Sequence, residues 1–243
     1  MNIRLFVVVL HYGDPALTRR VASELESQGT LVHVLDNAAP LNYEGNEMIR
    51  RLPENLFWAG GFAAALNWAR EDGATHLWFC NNDIGFVSKP PHAPRLIARL
   101  RRMSAKLGRK PGLYAPSVIR NPYHPQMVWR DNAAFSVVCC VDGIAPVVDL
   151  ECVEALGGLD AADNPRGYGV DVWLSLRAHQ AGWPVVVDHG ILLRHDYHTT
   201  ARSVPGFMSE AARSEDKYLA ARLGPDWRER LKTLQGWQDE ASL

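Results

Sequence analysis

The stretch "IRLFVVVLHY" near the start of the chain is an unbroken run of apolar, often β-branched residues, the pattern of a strand covered on both faces. The pattern then changes. In "DPALTRRVASELESQG" the apolar positions recur at helical spacing, with Asp14 as N-cap, Pro15 in the first turn and Gly29 as a stop. "TLVHVLDN" reads as the next strand, "AGGFAAALNWAREDG" as a helix closed by Gly73, and "THLWFC" as a third strand. This order, βαβ(α)βαβ, predicts right-handed crossovers into a parallel sheet. Beyond it the texture is different. "GLYAPSVIR", "QMVWRD" and "FSVVCCVDGIAPVVD" read as short strands of a smaller mixed sheet, and "LECVEALGGLD" as a short helix ended by Gly157 and Gly158. "GYGVDVWLSLRAHQAGW" suits a strand or a helix, with Gly182 as a stop favouring the helix; "PVVVDHGILLRHDYH" is one or two strands. Two amphipathic helices, "MSEAARSEDKYLAARLG" and "DWRERLKTLQG", follow.

In an open α/β sheet, ligands bind beyond the carboxyl ends of the strands. Tyr12, Asp36 and the run Asn81, Asn82, Asp83 all fall at such ends, on three different strands. By residue type alone each has a bland alternative: an Asx turn at Asp36, a turn and helix cap at Asn81 to Asp83. Asp171 would lie near the amino end of a helix, where the dipole favours its charged form, and could equally be only a cap.

Composition narrows the field. The chain has 243 residues, 47% hydrophobic and 22% charged, which suits one globular domain over 1–243. Within it the texture of the pattern divides the chain into 1–90, 91–200 and C-terminal helices at 201–243. A net charge of −1 offers no global field for nucleic acid. Four cysteines without a CxxC pair argue against a disulfide framework or zinc site and fit a reducing cytoplasm. No apolar run reaches the length of a spanning helix, and the N-terminal run lacks the marks of a signal peptide.

The segments "VVVLHYGDP", "VLDNAA", "NLFWAGGFAAALN", "FCNNDI", "VVDLECVEALGGLD", "GYGVDVWLSLRAHQAGW" and "LLRHDYH" occur in an order and spacing that resembles family 2 glycosyltransferases of the GT-A fold, especially the bacterial rhamnosyltransferase-like branch. The resemblance implies a nucleotide diphosphate sugar as donor, bound by Tyr12, Asp36, Gly60, Gly61, Asn81 and Asn82, with Asp36 reading the base. It implies Mg²⁺ or Mn²⁺ on Asp83, the last acid of a DxD-like motif, completed by His195, with His198 a second candidate. Asp171 is then the general base, and a saccharide or lipid-linked hydroxyl the acceptor. One base without a second nucleophile implies inversion. The chemistry is coherent, because a hard cation takes one or two carboxylates plus phosphate oxygens, and an acceptor hydroxyl needs a positioned base.

The chain departs from the family pattern at Asn81 in the DxD-like motif, at Val170 where a Glu precedes the base, at Trp173 in place of a second acid, and at Phe57 and Ala63 in the glycine-rich motif. These departures keep a second reading open, a nucleotide-sugar-binding protein without turnover. Finally, "RLIARLRRMSAKLGRK" sets Arg95, Arg99, Arg101, Arg102, Lys106, Arg109 and Lys110 against an apolar stripe without one acid. Residues 95–110 thus read as a core-packed helix with a solvated basic face, or as a peripheral contact with anionic lipid.

Overall fold

The computed structural model describes residues 2–26, 29–196 and 205–243. In chain order the elements are β1 (Leu5–His11), α1 (Pro15–Leu25), β2 (Val32–Asp36), β3 (Met48–Arg51), α2 (Phe57–Glu71), β4 (His76–Asn81), β5 (Ile84–Phe86), α3 (His92–Leu107) and β6 (Leu113–Val118). They continue with β7 (Phe135–Val138), β8 (Val147–Asp149), α4 (Leu150–Ala155), α5 (Val170–Gln180), β9 (Val185–His195), α6 (Phe207–Leu223), α7 (Trp227–Leu234) and β10 (Trp237–Glu240).

The apolar run at the N-terminus becomes β1, buried from Phe6 onward, with β2 and β4 parallel on its two edges and β3 parallel beyond β2. Asp14 caps α1 as its spacing predicts, accepting the Ala16 N–H at 2.8 Å. The free edge of β4 pairs antiparallel with β8, and β8 antiparallel with β6. β9 then runs parallel to β6, with β7 and β10 antiparallel beyond it. The mixed part expected for the second half is therefore continuous with the parallel part, in the order β10-β7-β9-β6-β8-β4-β1-β2-β3, with β5 paired to β9. No described helix is long and apolar enough to cross a membrane.

Several local expectations change. "QMVWRD" forms a 3₁₀ turn at Pro125–Met127 and a single bridge between Val118 and Val128, because Pro125 has no N–H to give a ladder. β3 and β10 were not foreseen: all four residues of β3, and Trp237, Gln238 and Asp239 of β10, are exposed, so neither strand has the buried periodicity that betrays one. "GYGVDVWLSLRAHQAGW" resolves as helix, α5.

The basic helix α3 is less free than its sequence implies. Leu96, Leu100 and Met103 are buried, and Arg99 reaches inward to Asp188, which has 0% exposure. Arg99 Nε lies 2.6 and 2.7 Å from the two Asp188 oxygens, and the Tyr114 hydroxyl and Gly190 N–H also donate to that carboxylate. Lys106 pairs with Glu240 at 3.2 Å and Lys110 with Asp149 at 2.7 Å, leaving Arg101, Arg102 and Arg109 as exposed cations of the run.

A buried carboxylate with this many donors cannot be removed without stranding them. Asp188→Ala leaves the Arg99 cation without its counter-charge, held only by the Ala134 carbonyl, and takes from the Tyr114 hydroxyl the carboxylate it donates to, at a cost of about 3–5 kcal/mol. For a chain of this size that lowers Tm by roughly 6–20 °C, read by thermal unfolding in circular dichroism; a fall of less than about 2 °C overturns the assignment.

Candidate active site

Because β1, β2 and β4 are parallel, their carboxyl ends emerge on one edge of the sheet, and a cavity of about 710 Å³ opens there. The corner after β4 forms part of its wall. The chain leaves β4 at Asn81 and returns as β5, whose antiparallel register places Ile84 opposite His195. Asp83, one residue earlier, therefore meets that imidazole, with Oδ1 3.1 Å from His195 Nε2, and its carbonyl accepts the Asp196 N–H at 3.1 Å. The neighbouring asparagines have other tasks. Asn82 donates to the Tyr12 carbonyl at 3.1 Å and the Thr18 hydroxyl at 3.0 Å, stapling the corner to the end of β1 and to α1. Asn81 lines the cavity, and its buried Oδ1 has no hydrogen-bond partner among the described residues.

Asp83 and His195, with side chains 15% and 9% exposed, both line the cavity. Among the described residues no three His, Cys, Asp or Glu side chains converge as a metal cage. A pair of this kind fits a hard cation whose remaining ligands are phosphate oxygens and water. His198 lies outside the described residues.

Asp36, Gly60 and Gly61 are not on the cavity wall. Asp36 is 1% exposed; its Oδ1 accepts the Ala39 N–H at 2.9 Å and its Oδ2 receives Arg51 at 2.5 Å, so it shapes the turn after β2. The next residue, Asn37, reaches the cavity. Its Oδ1 accepts the Leu56 N–H at 2.9 Å, and its Nδ2 donates to Asn55 Oδ1 at 2.9 Å and to the Phe57 carbonyl at 3.1 Å. This bracket holds Phe57 at φ +54°, a region a bulky L-residue seldom occupies, with Phe57 on the cavity wall. The two glycines serve packing: a Cβ at Gly60 would lie 2.4 Å from Leu56 Cβ, and one at Gly61 2.9 Å from Leu10 Cδ1.

Asp171 occupies the first turn of α5 and opens onto the same cavity. Its Oδ2 accepts the Gly143 N–H at 2.6 Å, and the carbonyl of Gly143 accepts the Trp58 indole N–H at 3.0 Å. Withdrawal from water, and then the charge of Asp142, push the Asp171 carboxyl up to about 7, while the N–H groups of Val172 and Gly143 pull the other way. Asp142 is held by Asn121 Nδ2 at 2.8 Å. Glu215, on α6, also lines the cavity, and burial raises its pKa. The departures near Asp171 have local reasons: Val170 is buried with Tyr218 and Leu219, and the Trp173 indole donates to Asp160 at 3.0 Å, away from the cavity wall.

Sequence reasoning missed Asn37, Asn55, Trp58, Asp142, Gly143 and Glu215, together with Phe207 and Met208 of α6, all of which line the cavity. Asn37 and Trp58 sit inside segments already singled out, but Asp142 and Gly143 fall in a stretch read as strand, and nothing local marks Glu215 among the acids of its helix.

No family model matches the chain. It is 28% identical over 202 residues to uncharacterized proteins of Mycobacterium tuberculosis (Rv1525) and Mycobacterium bovis (Mb1552), over 83% of this chain and 77% of theirs. Among solved structures it is similar to GalNAc-T7 crystallised with UDP, GalNAc and Mn²⁺, with TM-score 0.60 and 12% identity, covering 96% of this chain and 54% of that one. It is also similar to Staphylococcus aureus TarS, with TM-score 0.55 and 12% identity, covering 90% of this chain and 40% of that one. The chain thus spans about half the length, or less, of these structural neighbours. Its fold is mixed α/β around a large central sheet, parallel at its core, similar to GT-A glycosyltransferases.

The titration of Asp171 can be read without any substrate. Carbon-13 NMR of labelled aspartate carboxyls should show one group titrating near pH 7, absent in Asp171→Asn. Asp142→Asn removes a negative neighbour and so moves that midpoint to lower pH; a midpoint that stays or rises contradicts the electrostatic account.

Proposed function

We propose that this protein is an inverting glycosyltransferase that moves a sugar from a nucleotide diphosphate donor to a saccharide or glycolipid hydroxyl, within a single GT-A domain. The observation that carries this reading is a carboxyl pushed up to about 7, Asp171, lining the same cavity as the Asp83–His195 pair. Asp171 takes the proton of the acceptor hydroxyl as its oxygen bonds to the anomeric carbon, while the bond from that carbon to the diphosphate oxygen breaks. A base with its pKa near the working pH suits this step. Asp83 and His195 would hold Mg²⁺ or Mn²⁺, which supplies charge neutralisation for the departing diphosphate. The Mn²⁺ and UDP in the GalNAc-T7 structure support assigning a nucleotide sugar and a metal to this cavity. Tyr12, Asn37, Asn55, Asn81 and Asn82 would face the donor, with Asp36, Gly60 and Gly61 shaping the turn and helix behind it.

The absence of an acid at Val170 favours the second reading, a nucleotide-sugar-binding protein without turnover, and the same experiment separates the two. Calorimetric titration with UDP, GDP and dTDP, each with and without Mn²⁺, should identify one nucleotide whose binding needs the metal. Asp83→Ala should weaken that binding at least about tenfold. Asp171→Asn should keep it while lowering transfer by about 10²–10⁴-fold. Near wild-type turnover in Asp171→Asn defeats the base assignment, and tight binding with no product from any acceptor favours the second reading.

The exposed Arg101, Arg102 and Arg109 support a peripheral contact with anionic lipid at the cytoplasmic face of a membrane. Co-sedimentation with anionic vesicles at low salt should exceed that with neutral ones, and Arg101→Glu with Arg102→Glu should abolish the difference. Equal sedimentation with both vesicles removes the idea.

A further inference from the structure

Trp58 stands in the first turn of α2, a helix of the parallel half, yet its indole N–H donates across to the antiparallel half, to the Gly143 carbonyl at 3.0 Å. The N–H of the same glycine donates to Asp171 Oδ2 at 2.6 Å. One residue is thus held by its carbonyl from α2 while its N–H grips the carboxylate on α5.

The link has little room to adjust. A Cβ at position 143 would lie 2.7 Å from Trp58 Cζ2 and 3.1 Å from Asp171 Oδ2, so only glycine lets the indole and the carboxylate approach together. The Trp58 ring is packed against Phe62 and Phe79, with centroids 5.0 and 5.9 Å away. Beyond Gly143 the chain is tied to β4, through Asn81 N–H to the Ile144 carbonyl at 3.0 Å and Phe79 N–H to the Pro146 carbonyl at 3.0 Å. Before it, Asp142 is held by Asn121, and the Val141 N–H donates to Ser175 Oγ at 3.2 Å. The peptide carbonyl of Gly143 is the point that the helix α2 controls.

We infer that Trp58 is a positioning residue for the base: by holding the Gly143 carbonyl it aims the N–H that orients Asp171, so that the helix walling the parallel side of the cavity sets the place of the carboxylate on the other. This rests on the reading of Asp171 as the base. The role requires the hydrogen bond and not the aromatic ring alone, since a phenylalanine keeps a ring there but has no donor.

The test uses Trp58→Phe and, because that change also alters shape, replacement of Trp58 by 3-benzothienylalanine, which keeps the bicyclic outline and lacks the N–H. Three quantities are read in each: affinity for the nucleotide diphosphate with Mn²⁺, kcat, and the Asp171 midpoint by carbon-13 NMR. Asp142, Cys140, Glu215 and Tyr218 act on or feel the charge of Asp171 and are unchanged in both variants. Affinity should stay within about threefold while kcat falls about 10–100-fold, the size expected for a misplaced catalytic group. The midpoint should move to higher pH, because a loosened Gly143 N–H stabilises the carboxylate less. Unchanged kcat and midpoint overturn the inference. So does a parallel loss of nucleotide affinity in both variants, which would make Trp58 a donor contact. If the wild-type protein transfers no sugar, the functional reading fails by itself, and the midpoint still decides whether Trp58 sets the carboxylate.

Discussion

Strand β4 is the constraint on which the rest of the structure depends. Leu77 to Cys80 have 0% exposure, and the strand pairs parallel with β1 on one edge and antiparallel with β8 on the other. The parallel edge aligns its end with those of β1 and β2, which is why a cavity forms there. The antiparallel edge carries the returning chain 143–146 alongside the last residues of the same strand. The two halves of the cavity are thus hydrogen-bonded to one strand. A slip of one residue in that pairing would exchange Leu77 and Phe79 with Trp78 and Cys80 across the sheet, so the close packing of these unlike side chains protects the geometry of the site as well as the core.

Two buried carboxylates sit in opposite environments. Asp188 is surrounded by donors, from Arg99, Tyr114 and Gly190, and joins α3 to β6 and β9. Asp171 has the Gly143 N–H at its Oδ2 and faces the charges of Asp142 and Glu215. The first arrangement satisfies a carboxylate with donors from three elements, and the second leaves a carboxyl that burial and a like charge push up to about 7. Asp83 differs from both, paired with an imidazole and open to the cavity.

The α6 wall adds a feature that neither half supplies alone. Phe207, Met208 and Glu215 reach the cavity because α6 packs on α5 through Tyr218 and Leu219, which cluster with Val170, Val172 and Leu176. The residue that breaks the expected acidic pair, Val170, is part of that packing. An acid there would have to be buried against the helix that closes the cavity.

Asp14, the covered strands and the helix α5 were legible because each depends on neighbours within a few positions: a cap, an apolar run, a glycine stop. The same holds for the position of Asn81 to Asp83 at a strand end, since parallel order follows from the alternation of elements. Asp36, Gly60 and Gly61 turn out to serve Arg51, Ala39, Leu56 and Leu10: the turn from Asp36 to Ala39 is the local alternative its residue type offered, whereas Arg51 and Leu10 are partners that no local pattern names. Strands β3 and β10 carry no buried face and exist only through the ladders offered by β2 and β7. Sequence by itself therefore determined the fold class, the edge of the sheet at which the cavity opens, and the residues Asp83, Asp171 and His195 as candidates. Only the tertiary structure decided that Asp83 meets His195, that Asn37 rather than Asp36 faces the cavity, and that Asp142, Gly143, Trp58 and Glu215 surround Asp171. Those contacts join segments far apart in the chain, and the energies that make them, desolvation and charge–charge interaction, depend on distance in space and not on distance in sequence.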